Sequence, residues 1–217
     1  MDLLKKLWRK YRHFTFILVI VALNLMFNWL KVTVAPRYQM ASEIDNSIPF
    51  LKGFVIPYLL WFVYIIAVLM YLGLKSQKEF RQLSTFIIAG QIISMVIYFL
   101  FPNGQNLKPA IMSNDIFSRM ILTIYRNHTF TYAAPSIHVL YSLAAHIGIG
   151  RYKPFSKIKL LPVLSFLFIL TAVLSTLFIK QHSVKDVFFG VLLSAVLYFI
   201  IYKDKPEKGN LASMNPV

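Results

Sequence analysis

Most of the side chains in this chain that could do chemistry fall in three short polar segments. They read Asn103-Gly104-Gln105-Asn106-Leu107-Lys108-Pro109, Pro135-Ser136-Ile137-His138, and Ser175 through Lys180-Gln181-His182 to Asp186, each abutting a long apolar run. An ionisable group near hydrocarbon loses its hydration, so two histidines, an aspartate and two lysines in such places point to a task. A separation of four sets His182 and Asp186 on one helical face, about 5–6 Å apart at Cβ. The carboxylate can then hold the imidazole Nδ1–H, leaving the Nε2 lone pair as a nucleophile. A structural pair and a metal-binding pair are the other readings of this spacing, but the remaining carboxylates lie in loops or tails and give a metal too few ligands. Pro135 suits the first position of a helix, with the following backbone donors pointing outward as an anion cradle and Ser136 adding a hydroxyl. His138 is then close enough to give a proton to an oxygen leaving phosphorus. A plain helix start with an interfacial histidine is the alternative. Lys108 and Lys180 supply the positive charge that phosphoryl transfer requires, unless they snorkel to headgroups. Taken together, the three segments describe a phosphate site.

The elements that must position these residues follow from composition. With 58% hydrophobic and 14% charged residues and a mean hydropathy of +0.62, the chain is far more apolar than a globular domain. That predicts an all-α polytopic membrane protein, a single membrane domain over 1–217 with a short tail at 203–217. Cysteine is absent, which excludes disulfides and thiolate metal sites. The net charge of +15 does not mark a nucleic-acid partner, because the basic residues alternate with apolar spans instead of forming one patch.

Six spans are expected, near 14–34, 54–74, 83–101, 135–150, 158–179 and 182–202. Basic residues at the N-terminus (Lys5, Lys6, Arg9, Lys10, Arg12), in 75–81, in 151–159 and at the C-terminus (Lys203, Lys205, Lys208) make up fifteen of the twenty-three. They share one side only if all six spans exist, which predicts a six-helix bundle with both termini cytoplasmic. The first apolar run exceeds a signal-peptide core and contains Asn24, Asn28 and Trp29, so a retained helix is expected. Asn24 and Asn28 share a face and are expected to bond a neighbouring helix. His146, two turns deeper than His138, is assigned to the core, and Lys185 to headgroup contact. The outward segment 35–53 is expected to form a short amphipathic surface helix, and 102–134 a lid or rim. All three polar segments then meet at the outer leaflet, with the imidazoles of His138 and His182 facing each other across a gap wide enough for one tetrahedral anion.

The ordered trio resembles the signature of the type 2 phosphatidic acid phosphatase superfamily, which runs Lys-x6-Arg-Pro, Pro-Ser-Gly-His and Ser-Arg-x5-His-x3-Asp. Pro135, Ser136 and His138 match the second motif with Ile137 in place of Gly; Ser175, His182 and Asp186 match the third with Thr176 in place of Arg. The first fits least, with Lys108-Pro109 for Arg-Pro and Phe101 where the leading lysine is expected. The run Lys180-Gln181-His182 is similar to the inositol phosphorylceramide synthase branch, where Lys180 would stand in for the missing arginine. The resemblance covers about 40–202. It implies a metal- and cofactor-independent lipid phosphate or pyrophosphate phosphatase acting at the outer face of the membrane, in a bacterial cytoplasmic membrane. His182 would be the nucleophile, Asp186 its support and His138 the acid and then the base. Lys108, Ser136 and Lys180 would hold the phosphate, with Ser175 assisting. Its partners would be a phosphorylated lipid and the surrounding membrane lipids. The runner-up is a phosphotransferase of the same superfamily, with a hydroxyl acceptor in place of water. A transporter or flippase with a proton-relaying His-Asp pair, and a non-catalytic relative, are the further readings.

Overall fold

Hydrocarbon offers the backbone no hydrogen-bond partner, so long apolar runs can only fold as helices that satisfy themselves. The computed structural model describes residues 2–111, 113–127 and 133–202. In chain order the elements are α1 (Asp2–Tyr11), α2 (Thr15–Thr33), β1 (Tyr38–Gln39), α3 (Glu43–Ser47), α4 (Val55–Lys75), α5 (Gln77–Leu100), β2 (Asn103–Gly104), α6 (Ile116–Asn127), α7 (Ile137–Arg151), α8 (Lys153–Ser156), α9 (Leu160–Phe178) and α10 (Val184–Ile201). The architecture is all-α, as the composition predicts. Pro57 and Pro162 fall in the first turns of α4 and α9, where a missing N–H forfeits no intrahelical bond.

Among the described residues five helical segments are long and apolar enough to cross a membrane: Trp8–Thr33, Lys52–Lys75, Gln77–Leu100, Leu160–Phe178 and Val184–Ile201. The expected fourth span differs. It is helical, but α7 has 15 residues and rises only about 22 Å, short of a hydrocarbon core of about 30 Å. Packing explains how so short and polar a helix is accommodated. α7 lies against α4, α5, α9 and α10, so its polar groups bond to protein. Trp61 Nε1 donates to Ser142 Oγ (2.8 Å) and the Tyr141 hydroxyl donates to Gln91 Oε1 (3.0 Å). His146 Nδ1 lies 3.0 Å from Ser165 Oγ. A Cβ on Gly90 of α5 would fall 2.5 Å from the Leu140 methyls, so α5 meets α7 at van der Waals distance only because that side chain is absent.

The two ends of the bundle differ in chemistry. At one end His13 Nε2 donates to the Gly73 carbonyl (2.8 Å), Gln77 Nε2 donates to the Lys10 carbonyl (3.1 Å), and Tyr71 stacks on Phe155. The Arg151 guanidinium lies 5.1 Å from the Tyr202 ring centroid there. This end gathers the basic segments through 159; Lys203, Lys205, Lys208 and the rest of the expected 203–217 tail lie outside the described residues. At the other end β1 and β2 form a two-stranded parallel ribbon, pairing Tyr38 with Asn103 and Gln39 with Gly104. The expected surface helix in 35–53 is the five-residue α3, and its Asp45 is buried at 1% exposure instead of facing solvent. α6 packs on the start of α4, where Tyr58, Ile121, Ile124 and Ile179 form a small apolar cluster.

Candidate functional site

Side-chain amides tie the three polar segments to one another. Asn103 Oδ1 accepts from the backbone N–H groups of Ala133 (3.0 Å) and Ala134 (2.9 Å), and its Nδ2 donates to the Ala134 carbonyl (2.8 Å). Gln105 Nε2 donates to the Gln181 carbonyl (2.9 Å). Ser136 N donates to the Asp186 carbonyl (3.0 Å), and the Tyr98 hydroxyl donates to the Pro135 carbonyl. Each contact satisfies a buried backbone group that water does not reach, and each fixes one segment against the next.

The third segment turns sharply before α10 begins. Lys180 takes a φ of 53°, the left-handed conformation that ends many helices and that glycine adopts most cheaply. The Thr176 carbonyl then accepts from Gln181 N (2.7 Å) and His182 N (3.1 Å). Consequently His182 precedes the helix. Ser183 is the N-cap of α10 and forms a capping box with Asp186, whose Oδ2 accepts from Ser183 N at 2.7 Å. The expected helical i, i+4 pair is therefore a pair across a cap. His182 Nδ1 lies 3.3 Å from the same Asp186 Oδ2, which is long for a charge-assisted bond. Asp186 is fully buried, and its Oδ1 has no hydrogen-bond partner among the described residues.

His138 completes a row. Its Nδ1 lies 3.1 Å from His182 Nε2, with ring centroids 5.2 Å apart. The expected gap for a tetrahedral anion is thus closed, although the rings do share one crevice. A buried ring nitrogen is costly to leave unsatisfied, and a direct N–H···N bond satisfies both. With Asp186 accepting from His182 Nδ1–H, the consistent tautomers put a proton on His138 Nδ1 and leave His182 Nε2 as acceptor. The Trp61 and Tyr58 rings flank His138, at centroid distances of 4.5 and 5.2 Å. Gly190 permits the approach of α10 to α7. A Cβ there would meet Val139 Cβ at 2.9 Å and the Ser136 carbonyl oxygen at 3.0 Å.

The other candidates are placed differently from the sequence reading. Lys180 Nζ donates to the carbonyls of Asp45 (2.5 Å) and Ile48 (2.6 Å). It ties the third segment to α3, and burial pulls its ammonium below the ordinary lysine value, with Asp45 opposing. The Ser175 hydroxyl donates to the Ala172 carbonyl (2.6 Å) within α9, and Ser136 Oγ caps α7 by accepting from Val139 N (3.5 Å). Both serines are fully buried and do not line the cavity described below. The expected cradle at Pro135 is shifted as well, because α7 begins at Ile137 and the amide of Ser136 is bonded to Asp186. Lys108 stays at the rim. Its Nζ donates to the Tyr125 carbonyl (3.3 Å) and lies 4.9 Å from that ring's centroid, and burial lowers its pKa to about 8.

A cavity of about 670 Å³ opens beside the two histidines, lined at this end by Lys31, Gln105, Gln181, His138 and His182. Sequence reasoning missed two contributors. Asp45 Oδ1 accepts from Val184 N (2.7 Å) and so fills the first donor position of α10, while its Oδ2 accepts from Ser42 N (2.7 Å). No spacing rule connects residue 45 with residue 184. Lys31 continues the Asn24, Asn28 stripe of α2 at the next helical step, a spacing that is legible in the sequence. Asn24 does bond a neighbouring helix, donating to the Tyr141 hydroxyl at 3.2 Å, yet both asparagines also line the cavity. Among the described residues no group of three or more His, Cys, Asp or Glu side chains could hold a metal ion; His138, His182 and Asp186 stand in a row. Comparison of the chain with family models, with curated proteins and with solved structures gave no match.

Proposed function

We propose that the chain is a lipid phosphate or pyrophosphate phosphatase of the type 2 phosphatidic acid phosphatase kind, working through a phosphohistidine at the outer face of a bacterial cytoplasmic membrane. The observation that carries this reading is the row Asp186, His182, His138, with contacts of 3.3 and 3.1 Å, at the mouth of a cavity between spanning helices. In that row Asp186 holds His182 Nδ1–H, so Nε2 presents its lone pair to phosphorus. As the N–P bond forms and the P–O bond of the ester breaks, the departing oxygen takes a proton from His138 in its imidazolium form, which leaves that ring neutral and able to act as base. Water then attacks phosphorus, its proton passes to His138, and the P–N bond breaks to release phosphate and neutral His182. Admission of the phosphoryl group requires the His138 ring to turn away from His182. The collection of basic segments at the opposite end of the bundle supports the outward orientation, with α7 counted as the sixth, shielded crossing.

The test is phosphate release by the purified protein in chelator, offered phosphatidic acid, phosphatidylglycerophosphate and polyprenyl pyrophosphate. Release from at least one of them, lost in His182→Ala, is the expected result. A phosphodiester product in place of free phosphate would assign the chain to the transferases, and vesicle transport surviving His182→Ala without any release would assign it to transport.

A further inference from the structure

The cavity changes character along its length. On α2 the polar lining residues Asn24, Asn28 and Lys31 occupy the half near the histidines, interspersed with Phe27 and Val32, and the far half is wholly apolar, with Ile17, Ile20 and Val21. From Lys31 to Ile17 the helix rises about 21 Å, roughly two thirds of a hydrocarbon core. The opposite wall is α4, where Trp61 lies beside His138 and Ile65 and Leu69 continue the apolar part. A wall that grades from cationic to apolar in this way complements one amphiphile, with an anionic head and a hydrocarbon tail.

Charge at the polar end points the same way. Lys31 is the one lysine or arginine among the described residues lining the cavity, and none of those residues is acidic. Lys31 Nζ lies 4.2 Å from the centroid of the Phe27 ring, itself part of the wall, and Lys180 Nζ is bonded to the carbonyls of Asp45 and Ile48.

We propose that Lys31 is the cation that binds the substrate's phosphate and that the groove between α2 and α4 holds one of its hydrocarbon chains. The assignment rests on the phosphatase reading for its substrate class and names a binding residue outside the three polar segments. Charge-assisted bonds to a phosphoryl oxygen contribute more than neutral ones. Lysine fits the position because a point charge on a long stem can follow the phosphoryl group as it moves to His182.

Trp61 lines the groove, whereas Trp8 and Trp29 are exposed, so Trp8→Phe with Trp29→Phe leaves a single reporter inside it. The probe is a long-chain alkylphosphonate brominated in mid-chain, whose C–P bond is not hydrolysed, titrated into the protein in detergent micelles. Saturable quenching of Trp61 is expected, at roughly ten-fold lower concentration than for the matching brominated alcohol. Lys31→Gln should raise the half-saturation about ten-fold and Lys31→Arg should largely restore it, with unchanged thermal unfolding showing that both variants fold. Equal binding of phosphonate and alcohol, or indifference to Lys31→Gln, would overturn the assignment of the head. Displacement of the phosphonate by inorganic phosphate at equal concentration would overturn the assignment of the tail. Binding here needs no turnover, so failure of phosphate release and failure of this assignment are separately visible.

Discussion

At the level of a single residue, Lys108 at the rim would give a phosphate site a pH response. A lysine whose pKa is lowered to about 8 by burial carries its charge below that pH and loses it above, whereas an ordinary lysine stays charged to about 10. Affinity for a phosphomonoester is therefore expected to fall as pH rises through 8, read as a KM that climbs several-fold between pH 7 and 9. Lys108→Arg should flatten the part of the climb that arises at the rim, because guanidinium stays protonated throughout. His138, His182 and Asp186 were legible in the sequence because their residue types are rare beside hydrocarbon and their spacing is short. The ammonium of Lys180 was not legible. Its position depends on a left-handed turn and on two carbonyls more than 130 positions away in the chain, neither of which composition announces.

Elements bring the row together through close approach and capping. Gly190→Ala would place a methyl 2.9 Å from Val139 Cβ and 3.0 Å from a backbone oxygen. Neither neighbour is a flexible side-chain end, so α10 must move off α7 and carry Asp186 with it. A loss of about 1–3 kcal/mol is expected from overpacking, together with a fall in kcat larger than that of Gly53→Ala, where nothing lies within 4 Å of the added methyl. Asp45→Ala would remove the acceptor of Val184 N and of Ser42 N. Its expected cost is about 2 kcal/mol, seen as a lower Tm in detergent. The sequence placed these helices well where apolar runs are long. It set the start of α10 two residues early, because hydropathy does not register a capping box that delays a helix; α7, expected over 135–150, is helical over Ile137–Arg151 and is shielded by its neighbours.

Among the described residues the ends of the bundle differ: the N-terminal, 75–81 and 151–159 basic segments with aromatic stacking gather at one, the interlocked polar segments at the other. That separation was readable from the distribution of lysine and arginine, since alternation of basic loops with apolar runs admits few arrangements. The groove between α2 and α4 was not readable, because α2 joins the site only through tertiary packing. If the bundle is a phosphatase, the phosphoryl group must spend part of each cycle on the chain itself. Rapid quenching of the protein during turnover of a lipid substrate labelled with ³²P at the phosphate measures this directly. An acid-labile, base-stable label on the peptide containing His182, lengthened in lifetime by His138→Ala and absent in His182→Ala, is the expected result. Sustained phosphate release by His182→Ala, or label recovered on any other residue, would contradict it.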